Sequence, residues 1–251
     1  MTRKTKWVNV PGIALTLAAA LAAALPGFAE PVLPAPTTGA ECTSVTGVVV
    51  NSFTSCSAGG GVAQVTLAPF AGVSSSATAG PFMSSGGFAD LIYDFEVVGG
   101  RVGDVVPLLF TANLVTNANS ASDGFASITV GTSITFPDPG STQVVACTNE
   151  ALCTKSADFS GTFEVSVESG FLNNVNLEAV SGEVSTAGPE KSSASADPLI
   201  VIDPSFANAA DYSIVLSPGV ANAVESAVPE PRYKLLIGVF AGLAWLTRRR
   251  T

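Results

Sequence analysis

The chain has 251 residues, 47% of them apolar and only 12% charged, with a net charge of −9, four cysteines and no histidine. That length suits one globular domain of ordinary size with appendages. Without histidine there is no Ser-His-Asp or Cys-His catalysis and no His-ligated zinc or haem site. An acidic balance also argues against nucleic acid, whose binders need a basic face.

The charges are segregated. Arg3, Lys4, Lys6, Arg232, Lys234 and Arg248–Arg250 make up eight of the eleven basic residues, and all twenty acidic ones lie between Glu30 and Glu230. The segment 30–231 therefore holds three basic residues against twenty acidic ones, a net −17. Two basic termini flank an acidic body.

Residues 1–29 read as a secretory signal. Arg3, Lys4 and Lys6 precede an Ala/Leu-rich run from Gly12 to Leu25. Pro26 then breaks the helix before Gly27-Phe28-Ala29. The apolar run falls short of the ~20 residues of a comfortable span, so cleavage between Ala29 and Glu30 is expected rather than a retained anchor. Residues 30–40, with three prolines, read as a linker.

From 41 to 220 the chain repeatedly shows the alternation of half-buried strands. Ala89, Leu91, Tyr93, Phe95 and Val97 share one face of a strand over 88–98, opposite Asp90, Asp94 and Glu96. Phe163, Val165 and Val167 alternate with polar neighbours, as do Val175, Leu177 and Ala179, and Ile128 and Val130. Less regular strands are expected at 46–52, 63–69, 105–116, 133–137, 142–148, 198–202 and 212–217. Gly- and Pro-containing turns separate them. Ser185–Ala196 reads as a long loop, and 221–227 as a second linker. No helical period is sustained and no repeat of constant length appears. The expected fold is all-β: a single antiparallel β-sandwich or jelly-roll domain, flanked by the signal peptide and a short C-terminal membrane helix.

Cys42, Cys56, Cys147 and Cys153 read as disulfides, since an even count in an exported chain implies an oxidising compartment. Of the three pairings, the local one, Cys42–Cys56 with Cys147–Cys153, closes the smallest loops. Their spacing fits no common zinc knuckle.

Asp90, Asp94, Glu96 and Asp104 are the candidate metal ligands, because oxygen ligands near a turn suit Ca²⁺. Successive side chains on one strand face stand ~7 Å apart, which is awkward for one ion. A solvated acidic face with no metal and no cofactor is the expectation. Asp123, Asp138 and Asp158 are turn residues. Two carboxylates would suffice for a glycosidase, but Trp7 and Trp245 both lie in the terminal segments, leaving the body without tryptophan platforms. No P-loop, dinucleotide fingerprint or Gly-x-Ser-x-Gly elbow appears. No catalytic residue is expected, and the chain reads as a non-enzyme.

Residues 228–251 form a second signal. Pro229, Glu230 and Pro231 make an extended, accessible motif. An uncharged apolar run from Leu235 to Leu246 follows, and Arg248, Arg249 and Arg250 close the segment. A dozen residues make a helix of about 18 Å, shorter than the ~30 Å hydrocarbon core, and snorkelling from about 233 to 247 extends it. The arginines favour the cytoplasmic side. In order, spacing and terminal position these features resemble the PEP-CTERM sorting signal. Asp197–Phe206 and Tyr212–Val220 also resemble segments that precede such signals.

The resemblance implies recognition of Pro229-Glu230-Pro231 by an exosortase, a membrane-embedded enzyme with a cysteine nucleophile. It implies a Gram-negative bacterium, an inner-membrane-anchored precursor, and release to the cell surface or extracellular matrix of a biofilm. Arg232 and Lys234 depart from the family's small or apolar residues and leave the cut site open. The functional expectation is an exported, non-enzymatic surface or matrix protein. Its partners would be the exosortase, the envelope membrane before processing, and extracellular polysaccharide, with divalent cations as a bridge. A calcium- or carbohydrate-binding surface module is the alternative, and a carboxylate-based hydrolase the further one.

Overall fold

Alternation of apolar and polar side chains lets a strand bury one face and wet the other, and in this chain it generates two sheets around one core. The computed structural model describes residues 31–118, 122–131, 141–148, 158–184 and 190–222. These hold β1 (Thr37–Thr43), β2 (Val49–Ser52), β3 (Ser55–Ala58), β4 (Gly61–Thr66), β5 (Gly72–Ala79), β6 (Ser84–Gly99) and β7 (Val105–Ala118). They continue with β8 (Ser122–Gly131), β9 (Thr142–Thr148), β10 (Phe159–Glu168), β11 (Leu172–Val184), β12 (Glu190–Ile202) and β13 (Tyr212–Leu216). A short 3₁₀ turn, Ala209–Asp211, leads into β13.

The first sheet runs β2-β1-β6-β11-β8-β9, and β13 also pairs with β6; the second runs β10-β7-β12-β5-β4-β3. Every pairing is antiparallel. The all-β expectation holds, with two antiparallel sheets. One edge of β6 is shared: β1 pairs with Gly86–Ile92, and β13 with Phe95–Gly99.

The core grades from large to small side chains. Near the β6–β7 turn it is built from Tyr93, Phe95, Leu108 and Phe110, all essentially inaccessible. The Phe95 ring meets Phe110 edge-on at 6.2 Å, and Phe110 stacks on Phe163 at 5.3 Å. Each such burial contributes on the order of 1.5–3 kcal/mol. Toward the other end, Ala40, Ala89, Ala179, Ala126 and Ala146 form one cross-strand row through the first sheet. All five are buried. Strands β5 and β12, which pack against β6 and β11, supply Val73, Ser75, Ala77, Ser192, Ala194 and Ala196 on their buried faces.

That small-residue end is where the sequence reading departs from the structure. Ser185–Ala196 is not all loop: β12 begins at Glu190 and pairs its Ser192–Ala196 stretch with β5. Serine and alanine read as loop composition, yet between closely packed sheets they are the side chains that fit. The same bias hid β5. The 30–40 linker is also shorter than read, because Leu33 is buried and β1 starts at Thr37. Within 46–52 a turn intervenes, with Ser44 Oγ accepting the Val48 N–H at 3.0 Å, so β2 starts only at Val49. The strand expected at 133–137 lies outside the described residues.

Candidate functional site

Ala29 and Glu30, Pro229, Glu230 and Pro231, and Arg248, Arg249 and Arg250 all lie outside the described residues, as does the membrane helix expected at about 233–247. Among the described residues no helix is long and apolar enough to cross a membrane. What the structure does describe is how the body holds the chain just before the C-terminal segment. After β13, Ser217 bonds to the Asp94 backbone. The Ala221 N–H donates to the Leu67 carbonyl at 2.8 Å, and its own carbonyl accepts from Ala71 N–H at 3.2 Å. The Asn222 side chain then grips Ile200 twice: its Oδ1 accepts the Ile200 N–H at 3.1 Å, and its Nδ2 donates to the Ile200 carbonyl. Ala221 and Asn222, read as the start of a linker, belong to the body.

The local disulfide pairing is half visible and correct where visible. Cys42 on β1 and Cys56 on β3 are bonded, with Cα atoms 5.8 Å apart, so the link ties the first sheet to the second. Cys147 is disulfide-bonded too. Cys153, its partner in the local pairing, lies outside the described residues.

The four candidate metal ligands do not converge. Asp90, Asp94 and Glu96 do share the outer face of β6, as their alternation requires. Asp104 instead sits in the β6–β7 turn, where its Oδ2 accepts the Arg101 N–H at 2.9 Å and the Tyr212 hydroxyl at 2.8 Å. These two donors, the Arg101 N–H foremost, hold its carboxyl below the usual range, and the bond to the Asp104 carboxylate in turn raises the Tyr212 phenol. Burial pushes Asp90 and Asp94 upward. Among the described residues no three acidic or cysteine side chains are placed to hold one metal ion.

The outer face of the first sheet holds more than those acids. Register places Glu41, Phe88, Val180 and Phe125 in one cross-strand row. The row above it contains Asp90 directly opposite Glu178, and the row below sets Gly86 against Gly182, with Asp123 beside them. Asp123, Phe125, Glu178, Val180 and Gly182 line a shallow pocket there. The alternation marked Asp90 and Glu178 as outward-facing. It could not bring residues 88, 180 and 125 together, because only the pairing of three strands distant in sequence does that.

Comparison with known proteins finds no matching family model, no matching curated protein and no matching solved structure.

Proposed function

We propose that this chain is an exported, non-enzymatic surface or matrix protein. Its C-terminal Pro229-Glu230-Pro231 segment is a PEP-CTERM-like sorting signal read by an exosortase-type enzyme. The observation that carries the reading is the ordered set of proline motif, apolar run and arginine cluster at the end of the sequence. The Cys42–Cys56 disulfide supports an oxidising compartment. The two facing sheets are a β-sandwich of jelly-roll type in this reading, a scaffold that carries surface functions on its faces and loops.

Asn222, the last described residue of the body and bonded twice to Ile200, supports it further. Six residues lie between Asn222 and Pro229, and the seven steps from one to the other can span at most about 25 Å. By sequence, then, the proline motif follows the folded body within that reach, where a membrane enzyme acting at the base of an exported domain would meet it.

The test is the intact mass of the protein recovered from envelope and culture medium. A species running from Glu30 to near Pro231 supports both signals. A species that begins at Glu30 but keeps Arg248–Arg250 makes this a plain tail-anchored envelope protein and removes the sorting reading.

A further inference from the structure

The row Phe88–Val180–Phe125 crosses the outer face of three neighbouring strands, β6, β11 and β8. Phe88 is 36% exposed, in a position where an alternating strand would place a polar residue. Two inter-strand steps separate the rings, roughly 10 Å. Beside the row, Gly86 and Gly182 face each other, and a side chain at Gly182 would meet no described atom within 4 Å. The glycine pair therefore leaves a trough next to an aromatic platform. Glu41, Asp90, Asp123 and Glu178 stand around both on the same sheet face.

We propose that this face is a binding site for a cationic amino-sugar polymer, with sugar rings lying on Phe88 and Phe125 and their ammonium groups meeting Asp123, Glu178 and Asp90. It deepens the surface-protein reading, which says only where such a polymer would be met; the site itself belongs to the body.

The alternatives fit the face less well. A basic peptide would gain most by adding a strand. Here β6, β11 and β8 are interior, paired along both edges, so no edge is open to it at this row. A flat ring needs no edge: it needs an apolar plane and polar groups around its rim, which is what the two rows provide. An anionic polymer would be repelled by four carboxylates. Among the described residues a bare divalent ion finds no three acidic ligands around one point.

The test titrates the purified full-length protein, by calorimetry, with a glucosamine hexamer, an N-acetylglucosamine hexamer and hexalysine. The glucosamine hexamer is expected to bind, and its affinity to fall with added salt. Phe88→Ala and Asp123→Asn are each expected to weaken it by about fivefold or more. Gly182→Leu, which fills the trough, is expected to abolish it. Thermal melts establish that the variants fold; Asp123→Asn, the mildest change, keeps the test alive should Gly182→Leu fail to. Hexalysine binding as tightly as the amino sugar, and insensitive to Phe88→Ala, would overturn the proposal in favour of simple charge attraction. Equal binding of the acetylated hexamer, or no binding to any of the three, would overturn it as well. Neither result bears on the mass of the processed chain, so the two readings fail separately.

Discussion

Ser217 fills the gap between two strands that share one edge of β6, and it does so through Asp94. The Asp94 N–H donates to Ser217 Oγ, and the Ser217 N–H donates to the Asp94 carbonyl, both at 2.9 Å. Asp94 is the point where neither β1, whose pairing ends at Ile92, nor β13, whose pairing begins at Phe95, can serve the backbone. A buried N–H left without a partner costs on the order of 1–3 kcal/mol. Ser217 is 1% exposed, so water cannot replace its hydroxyl.

Ser217→Ala should therefore destabilise the domain by about 1–2 kcal/mol. Amide exchange should accelerate at Asp94 and along β13 more than elsewhere. Urea unfolding gives the first quantity, and hydrogen exchange read by NMR the second. Uniform acceleration over the whole domain would mean that Ser217 contributes only to global stability and does not hold this joint.

The disulfide makes a second joint, between the sheets. Its cysteines are 14 apart in sequence, and a closed loop of that size is worth about 3 kcal/mol in the chain-entropy model. Replacing both cysteines, Cys42→Ala with Cys56→Ala, should lower stability by about that amount, measured by thermal unfolding. Reductant should then lower the melting temperature of the parent more than that of the variant. A parent indifferent to reductant would show that the link adds nothing to stability.

How far the sequence discloses this fold depends on side-chain size. Strand β6 is legible because Leu91, Tyr93, Phe95 and Val97 make an alternation that no loop would carry. The β5–β12 pair is illegible for the opposite reason: Ser75, Ala77, Ser192 and Ala194 bury one face without any hydrophobic contrast to the other. The disulfide at Cys42 was readable from loop length. The Phe88–Val180–Phe125 row was not, since its members become neighbours only once β6, β11 and β8 are in register. Local pattern writes strands; the sites on a sheet's face are written in register.

The small-residue end predicts two opposite effects. Ser75 is buried and its hydroxyl has no hydrogen-bond partner. Ser75→Ala removes that unpaired group at almost no change in volume, so it should stabilise by about 1 kcal/mol, raising the melting temperature by roughly 2–4 °C. At Gly87, a Cβ would lie 2.3 Å from the Val62 carbonyl oxygen, where β6 backbone approaches β4. Backbone cannot yield as a side chain can, so Gly87→Ala should cost about 2 kcal/mol or more. Thermal unfolding of both variants checks the pair, and a neutral Gly87→Ala would mean the two sheets separate there without penalty.

The acidic outer face gives stability a sign in pH. Burial raises the Asp90 and Asp94 carboxyls above their ordinary value of 3.8. Above that value the unfolded chain has released protons that the folded chain still holds, so the folded state binds more of them. These two groups thus contribute stability that is present at low pH and lost as pH rises through their folded values. Asp197, raised mainly by burial and partly offset by backbone hydrogen bonds, acts in the same direction. Asp104 opposes them: its lowered carboxyl contributes above the ordinary value and loses that contribution as pH falls through the folded one. The double variant Asp90→Asn with Asp94→Asn should flatten the decline of the urea midpoint as pH rises above the ordinary carboxyl value, and Asp104→Asn should leave that decline in place while softening the loss as pH falls below it. An unchanged decline in the double variant would place the pH dependence elsewhere and show that these carboxyls ionise as freely in the folded chain as in the unfolded one.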